Sequence, residues 1–387
     1  MADRHVDHLL IGGGIASATC AQTLRAEGAT GSVLLVGREL DPPYHRPPIT
    51  KGYLAGSEGK DHALIDVPGD VEVLTRTSVM ALDPAARTAT LSTKEVVGYR
   101  TALVATGAMV RRLAIDGAQL DGIHYLRALG NADALRRDAE GAERVVCVGG
   151  SYIGCESAAT LAAQGKRVTV LMQEEEPMER AFGLAAGAWV RSVLEGHGVT
   201  VRGSVEVERF EGSGERVERV VLAGGETLEA DVVIGGVGAL PDVMLARKSG
   251  LELGPQGGVL ADARLRAAGF DDLYVAGDMA EYDSVVHGRR VRIEHEEVAA
   301  AHGRTVARNM LGADAPHAEV PYFFSDLAAW ASLEYVGPAH GWDDEQVDGD
   351  PASGAFAITY RRDGRVVACL SVNGHGDLAA AREQIAG

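Results

Sequence analysis

The feature that most limits the folds open to this 387-residue chain is an internal repeat. Residues 7–39 read DHLLIGGGIASATCAQTLRAEGATGSVLLVGRE, and residues 144–175 read RVVCVGGSYIGCESAATLAAQGKRVTVLMQEE. In each segment an apolar strand leads into a glycine-rich turn, an alanine-rich stretch with helical periodicity, a break and then a β-branched run. Each segment is therefore predicted to form a βαβ unit.

The first glycine-rich turn matches a dinucleotide-binding fingerprint. Its pattern is Gly12-x-Gly14-x-x-Ser17, in which the glycines let the chain turn tightly from strand to helix. The N-terminus of the following helix then presents N–H groups and the positive end of its dipole to a pyrophosphate. Glu39 stands at the end of the next strand, where an acid can bind ribose hydroxyls. We therefore expect this turn to bind a dinucleotide.

The second turn departs from the fingerprint at one position. Residues 148–156 read VGGSYIGCE, so that Ser151 stands where the second glycine of the pattern lets the backbone approach a pyrophosphate. Serine is the next least bulky choice, and its hydroxyl is a hydrogen-bond donor. The change is therefore expected to weaken dinucleotide binding without abolishing it.

Charge and hydropathy exclude two classes of partner. Asp and Glu outnumber Lys and Arg by 55 to 37, a formal net charge of −18, whereas nucleic-acid binding needs clustered cations. No apolar run approaches the roughly 20 residues of a membrane-spanning helix. The start, MADRHVDHLLIGGG, has no basic region, long apolar stretch or cleavage site. We therefore predict no nucleic-acid partner, no membrane span and a cytoplasmic location.

The cysteines and histidines show no metal-binding pattern. Cys20, Cys147, Cys155 and Cys369 are widely spaced, which fits neither a disulfide framework nor a zinc site. Residues 295–302, HEEVAAAH, superficially resemble HExxH, but their two histidines are about two helical turns apart. No metal is predicted.

Three further stretches, taken together with the two βαβ units, resemble segments of a known protein family. They are ALVATGAMVRRL (102–113), IGGVGALPDV (234–243) and LYVAGDMAEYD (273–283). The chain resembles the flavoprotein reductases with two dinucleotide domains, the glutathione-reductase-like superfamily. Within it, PYHRPPITKGYL (43–54) resembles a segment of the oxygenase-coupled, putidaredoxin reductase-like ferredoxin reductases, and EHEEVAAAHGR and FFSDL are also similar to apoptosis-inducing factor.

The resemblance implies an α/β fold with two Rossmann-like dinucleotide-binding domains, one for FAD and one for NAD, and a small α+β C-terminal interface domain. The FAD-binding domain is expected to be discontinuous, at 1–109 and 243–315, around an NAD(P)H-binding domain at 110–242. The interface domain is expected at 316–387, where the sequence becomes rich in hairpin signals and ends in a predicted helix.

The resemblance also implies site residues. For FAD these are Gly12, Gly14, Ile15, Ala16, Ser17, Glu39, Arg46, Lys51, Val79, Ala105, Thr106, Gly107, Arg127, Gly277, Asp278, Glu294, His295, Glu296 and Phe324. For NAD they are Gly149, Gly150, Ser151, Tyr152, Ile153, Gly154, Glu156, Gln173, Glu174, Gly236, Val237 and Gly238. Lys51 and Glu156 match a catalytic pair that the family sets near flavin N5.

The implied activity is hydride transfer from NADH to FAD followed by electron transfer to a small iron–sulfur ferredoxin. Branches of the superfamily that use a redox-active disulfide or a single cysteine place it in the stretch matching residues 41–52, where this chain has none. Electrons must therefore leave the flavin directly.

Nicotinamide preference rests on the strand end of the second βαβ unit. Met172 stands where an NAD-type acid is usual, but Glu174, Glu175 and Glu176 disfavour a 2′-phosphate. NADH is therefore expected to be preferred over NADPH.

Two other functions and one assembly stay open at this point. One function is an NADH-responsive flavoprotein similar to apoptosis-inducing factor, and the other is an NADH oxidase or quinone reductase without a protein acceptor. A homodimer is left open. Glu296 also departs from the family pattern, which has a tryptophan there.

Overall fold

The computed structural model describes residues 2–337 and 341–387. Its first part forms most of one sheet and the helix of the first βαβ unit. The elements are β1 (Arg4–Ile11), α1 (Ile15–Ala26), β2 (Val33–Val36), α2 (Gly52–Ala55), α3 (Lys60–Ala63), β3 (Glu72–Leu74), β4 (Val79–Asp83), β5 (Thr88–Leu91), β6 (Val96–Val104) and β7 (Ala108–Val110).

The next part contains the second βαβ unit and a smaller sheet. Its elements are β8 (Ile123–His124), α4 (Leu129–Glu140), β9 (Arg144–Val148), α5 (Tyr152–Ala163), β10 (Arg167–Leu171), α6 (Glu179–Gly196), β11 (Thr200–Arg202), β12 (Val207–Glu211), β13 (Arg219–Leu222), β14 (Thr227–Glu229), β15 (Val232–Gly235) and β16 (Ala239–Pro241).

The chain then returns to the first sheet and ends in a separate antiparallel sheet. The elements are α7 (Met244–Lys248), β17 (Val259–Ala261), β18 (Leu273–Val275), β19 (Ala280–Ser284), β20 (Arg289–Val291), α8 (Glu296–Met310), β21 (Tyr322–Leu327), β22 (Ala331–Val336), β23 (Asp344–Asp350), β24 (Ala355–Arg362), β25 (Arg365–Val372) and α9 (Leu378–Ala386).

Both glycine-rich turns leave the carboxyl end of a central parallel strand. The first sheet has the order β3-β2-β1-β6-β5-β4, with β18 also pairing in parallel to β6. β5 runs antiparallel to the start of β6, and β4 runs antiparallel to β5. The second has the order β11-β10-β9-β15-β8, all parallel. Ligand sites in such sheets lie beyond the carboxyl ends of the strands. The predicted fold class of two Rossmann-like sheets with a C-terminal α+β unit is confirmed.

The two crossings between the sheets pair with each other. β7 runs antiparallel to β16, with Met109 opposite Leu240. Just beyond them, the Thr106 hydroxyl donates to the carbonyl of Asp242 over 2.6 Å. A hairpin around Gly224 and Gly225, which both have positive φ, joins β13 to β14.

The C-terminal sheet, in the order β21-β22-β25-β24-β23, packs on α6. Trp189 and Phe182 of α6 meet Phe356 and Tyr335 of the sheet, with ring centroids 5.4 Å apart in each pair. The helix is interrupted at Gly183, where φ is +81°, and the hydroxyl of Tyr360 donates to the carbonyl of Phe182 over 2.7 Å. This packing directs β21 toward the start of α5.

None of the helices in the described ranges combines the length and apolarity that crossing a membrane requires.

Helix α8 packs closely on α1, and one glycine permits the contact. A Cβ at Gly303 would overlap the carbonyl oxygen of Ala16 and lie 3.0 Å from the amide nitrogen of Cys20. Because both neighbours are backbone atoms, they cannot move without shifting α1.

We therefore expect Gly303→Ala to lower the free energy of unfolding by about 1–3 kcal/mol, as overpacking of a core does. The matched control is Gly130→Ala in α4, where a Cβ would meet open space, and its effect should stay within about 1 kcal/mol. Urea unfolding followed by tryptophan fluorescence measures both variants. Equal stability of the two variants would contradict this account of the α1–α8 contact.

Candidate functional site

A cavity of about 640 Å³, here called the central cavity, connects the two glycine-rich turns. Its wall is formed by the first turn, the segment before α2, the start of α5, the start of α8 and the beginning of β21. Every residue predicted for FAD lines it except Ser17, which is buried on α1. A volume of this size is typical of small-molecule sites.

The predicted NAD residues divide into two groups. Ser151, Tyr152, Ile153, Glu156 and Gly238 line the central cavity. The others are not part of its wall: they are Gly149, Gly150, Gly154, Gln173, Glu174, Gly236 and Val237.

The first turn has the geometry of an anion site. Gly12 has φ of +123°, and a Cβ there would overlap the carbonyl oxygen of Ala105, so glycine is required. Among the described residues, a Cβ at Gly14 would meet no atom within 4 Å, and no side chain caps α1. The first N–H groups of α1 therefore face open space, which fits a pyrophosphate.

The second turn has the same backbone geometry, and its serine is bonded to another part of the protein. Gly149 has φ of +111°, and a Cβ there would overlap the carbonyl oxygen of Gly236. The Ser151 hydroxyl donates to that same carbonyl over 2.8 Å. The hydroxyl therefore joins the turn to the end of β15 and is not directed at a phosphate. As in the first turn, no side chain caps the helix that follows.

Met172, at the strand end where an acid is usual, lies under the second turn. Its side chain is 3% exposed, and a Cβ on Gly150 would overlap its sulfur. The nearby Glu174 is half-buried and pairs with Arg180 over 2.5 Å. A carboxylate is therefore present at this strand end, two residues later than the usual position.

Glu156 of α5 is the most extensively bonded acid of the central cavity. It is 6% exposed, and its two oxygens accept hydrogen bonds of 2.6 Å from the hydroxyls of Thr50 and Ser325. Burial raises the pKa of Glu156, although Lys51 and the two hydroxyls act in the opposite direction. Three distant parts of the chain thus meet at one carboxylate.

Lys51 lies between two carboxylates and an aromatic ring. Its Nζ is 2.9 Å from Asp326 Oδ2, 3.5 Å from Glu156 Oε1 and 4.3 Å from the centroid of Phe324. The two predicted catalytic residues are therefore in contact on the cavity wall. Asp326, Thr50 and Ser325 were not predicted, and only their position beside the predicted residues in sequence could have indicated them.

Glu39 is not a free carboxylate. Arg46 donates to it over 2.6 Å, and the hydroxyl of Tyr44 donates to it as well. Burial raises the pKa of Glu39, but Arg46 and Tyr44 together outweigh burial and lower it below its usual range. The predicted ribose-binding acid therefore also holds the segment that carries Arg46.

Asp278 lies at the end of β18, in a short 3₁₀ turn at Gly277–Met279. Arg127 donates to its carboxylate over 3.0 Å, and Arg292 donates to its carbonyl over 3.0 Å. Asp278 and Arg127 both line the central cavity.

An aromatic cluster closes the cavity where α5, α8 and β21 meet. The ring of Phe323 lies 4.3 Å from Tyr152 and 4.4 Å from His295, measured between centroids. Of these three, Phe323 was not predicted. Other wall residues without a prediction include Arg38, Tyr44, Thr77, Ser78, Asp242, Met244, Lys248 and Tyr322.

The chain matches two family models. Residues 6–303 match the family described as pyridine nucleotide-disulphide oxidoreductase, and residues 322–387 match the one described as reductase C-terminal.

Curated relatives and a solved structure resemble nearly the whole chain. The ferredoxin–NAD(+) reductase component of the biphenyl dioxygenase system of Paraburkholderia xenovorans is 34% identical over 96% of this chain and 91% of its own. A rubredoxin–NAD(+) reductase of Pseudomonas putida is 30% identical over 94% and 95%. The crystal structure of the covalent putidaredoxin reductase–putidaredoxin complex superposes with a TM-score of 0.92 at 29% identity, over 100% of this chain and 94% of that one.

Glu296, at the start of α8, is bonded to two residues of the segment before α2. Its carboxylate is 2.7 Å from His45 Nδ1 and accepts from the amide of Arg46 over 2.8 Å. Glu296 is the main cause of a raised pKa at His45. The charged pair contributes stability below the ordinary histidine pKa of about 6.5. That contribution is lost as the pH rises through the raised pKa.

We expect Glu296→Gln to move the titration midpoint of His45 down toward about 6.5. The control is Glu297→Gln, which removes a charge from the next position, and its effect should be smaller because Glu297 raises the pKa of His45 only at longer range. Proton NMR of the histidine ring as a function of pH gives both midpoints. An unchanged midpoint in Glu296→Gln would show that the contact does not exist in solution.

Proposed function

The chain belongs to the pyridine nucleotide-disulphide oxidoreductase family, and we propose that it is an FAD-dependent, NADH-oxidising reductase that delivers electrons to a small iron–sulfur ferredoxin. The observation that carries this proposal is the contact between Lys51 and Glu156 on the wall of a cavity that extends from one glycine-rich turn to the other. A site of this shape would let two dinucleotides meet at one pair of residues.

The first turn and the central cavity are the proposed FAD site. Members of the family use FAD and NAD(P)H. The uncapped start of α1 would bind the pyrophosphate, and Asp278 with Arg127 would bind the polar chain between pyrophosphate and ring. FAD, when bound, accepts a hydride from the nicotinamide at N5 and releases the electrons one at a time to an acceptor.

The second turn is the proposed site of NADH. Glu174 would take the place of the usual ribose-binding acid, and the acidic run that it begins would disfavour a 2′-phosphate. Two nearby cations could attract that phosphate, but Arg180 is paired with Glu174 and Arg191 with Glu176. NADH is therefore the proposed substrate.

The proposed roles of the catalytic pair follow from burial and charge. Lys51 keeps a positive charge on the cavity wall, where negative charge increases during hydride transfer. Glu156 and Asp326 fix its ammonium group from two sides. Because Glu156 is held by Thr50 and Ser325, it has one position, and that position fixes the lysine.

The proposed route by which electrons leave the flavin rests on the burial of the cysteines and on the electron acceptors of the relatives. All four cysteines are buried and free, and none lines the central cavity. Burial raises the pKa of Cys155, the cysteine next to Glu156, so its thiol is unreactive. The relatives named above act with a ferredoxin, a rubredoxin and putidaredoxin. We therefore assign this chain a carrier protein of the same kind as its acceptor.

The proposed organisation keeps the expected division into an FAD-binding part at 1–109 and 243–315, an NAD(P)H-binding part at 110–242 and an interface part at 316–387. A cytoplasmic location is also proposed, because four free, buried thiols suit a reducing compartment.

The proposed function is tested by anaerobic stopped-flow spectroscopy of the purified full-length protein. The protein should be yellow, NADH should bleach its flavin faster than NADPH does, and an oxygenase-type [2Fe–2S] ferredoxin should then reoxidise it. A colourless preparation that takes up no FAD would contradict the proposal. So would a reduced protein that transfers no electrons to ferredoxin but reacts freely with oxygen or a quinone.

A variant at Glu156 tests the catalytic pair separately. Glu156→Ala should slow flavin reduction by NADH about 100-fold, the scale of losing one positioned catalytic group, while FAD binding changes far less. The comparison variant is Asp326→Asn, which removes the other carboxylate from Lys51 but leaves Glu156 in contact with it, so its reduction rate should fall less than that of Glu156→Ala. An unchanged reduction rate in Glu156→Ala would remove its catalytic role.

A further inference from the structure

His302 lies in the protein core, beneath the turn that carries Asp278. It belongs to α8 and is 0% exposed. Its ring packs edge to face against Tyr282 and His317, at centroid distances of 4.7 and 4.6 Å. It does not line the central cavity. A histidine in so apolar a position needs an explanation, because burial of its polar atoms is unfavourable unless they are bonded.

One hydrogen bond explains why a histidine occupies this buried position. The backbone N–H of Gly277 donates to His302 Nδ1 over 3.2 Å. A nitrogen that accepts carries no proton, so the proton of the neutral ring must be on Nε2. No hydrogen-bond partner for Nε2 is found in residues 2–337 or 341–387. Burial holds the pKa of His302 well below its ordinary value, which keeps the ring neutral.

The Gly277 amide requires this partner because strand β18 has ended. The amide of Ala276 still donates to the carbonyl of Val104, as in a parallel ladder. At Gly277 the backbone turns to φ of +73°, and its N–H points into the core. A buried donor left without an acceptor costs free energy, so the turn depends on the imidazole.

The bond also completes the support of Asp278. Arg292 holds the carbonyl of Asp278, and Arg127 holds its carboxylate. His302 holds the preceding amide. The backbone before Asp278, its carbonyl and its side chain are thus each held by a separate contact.

We propose that His302 is a positioning residue for FAD, acting through the Gly277 amide to keep Asp278 directed at the cofactor. The inference rests on the proposed function only in taking FAD as the ligand of Asp278. His302 itself touches neither cofactor nor substrate. Its contribution comes from one acceptor atom, Nδ1, and not from its charge or from the volume of its ring.

Two substitutions separate the acceptor from the packing. In His302→Asn the side-chain oxygen lies two bonds from Cβ, as Nδ1 does, so the acceptor is retained. In His302→Leu the acceptor is lost and an apolar side chain fills the space. We expect the FAD dissociation constant, measured by flavin fluorescence on titration of the stripped protein, to rise about tenfold in His302→Leu, the cost of one unsatisfied buried donor. It should stay within about threefold of the wild type in His302→Asn.

A third variant controls for disruption of the buried rings. His317→Leu changes the ring that packs against His302 but leaves the acceptor of the Gly277 amide in place, so FAD affinity should be kept. Equal losses of affinity in His302→Leu and His317→Leu, or equal losses in His302→Leu and His302→Asn, would overturn the proposal. Wild-type affinity in His302→Leu would overturn it as well.

A measurement on the wild-type protein tests the role of His302 independently of these variants and of the proposed function. Nitrogen-15 NMR of the imidazoles should show His302 as the neutral tautomer with its proton on Nε2, with or without FAD. A proton on Nδ1 would overturn the proposal even if every variant unfolded. Failure of the wild-type protein to bind any FAD would instead refute the proposed function, and the tautomer result would still decide whether His302 holds the Gly277 amide.

Discussion

The rest of the site depends on the carboxylate of Glu156. Transferring a charge from water into a protein interior is costly unless it is bonded on every side, so a buried glutamate organises its surroundings. Here it draws together Thr50 from the segment before α2, Ser325 from the C-terminal sheet and Lys51 from the cavity wall. The position of the C-terminal sheet relative to both glycine-rich turns is thus fixed by the atoms that the proposed chemistry uses.

The two turns have the same backbone geometry but different surroundings. The first opens onto space around Gly14. The second is joined by Ser151 to the carbonyl of Gly236. Opposite the first turn, the buried acid Asp242 pairs with Arg38 over 2.6 Å, and its carbonyl accepts from Thr106. The crossing between the sheets is therefore bonded directly to the proposed FAD site. These contacts suit a resident ligand at the first turn and an exchanging ligand at the second.

Much of this could be predicted from the sequence, because glycine turns, strand periodicity and family segments are local signals. The parallel sheets and the cavity position of Asp278 and Arg127 are of this kind. Contacts made across the fold could not be predicted. The sequence shows that Ser151 has a hydroxyl that can donate, but not that this hydroxyl bonds to a carbonyl 85 residues away. Met172 reads as a missing ligand but lies under a glycine, and nothing in the sequence near His302 indicates a bond to an amide 25 residues earlier.

The interruption of α6 at Gly183 has a consequence for protein engineering. The hydroxyl of Tyr360 is bonded to the carbonyl freed at that break, and Trp189 and Phe356 pack beside it. The C-terminal sheet is therefore matched to one face of one helix in the preceding part of the chain. A chimaera could take this sheet from a relative to change the electron acceptor, but the new sheet would not fit the original face of α6. That face would have to be exchanged together with the sheet, although the two are separate in sequence.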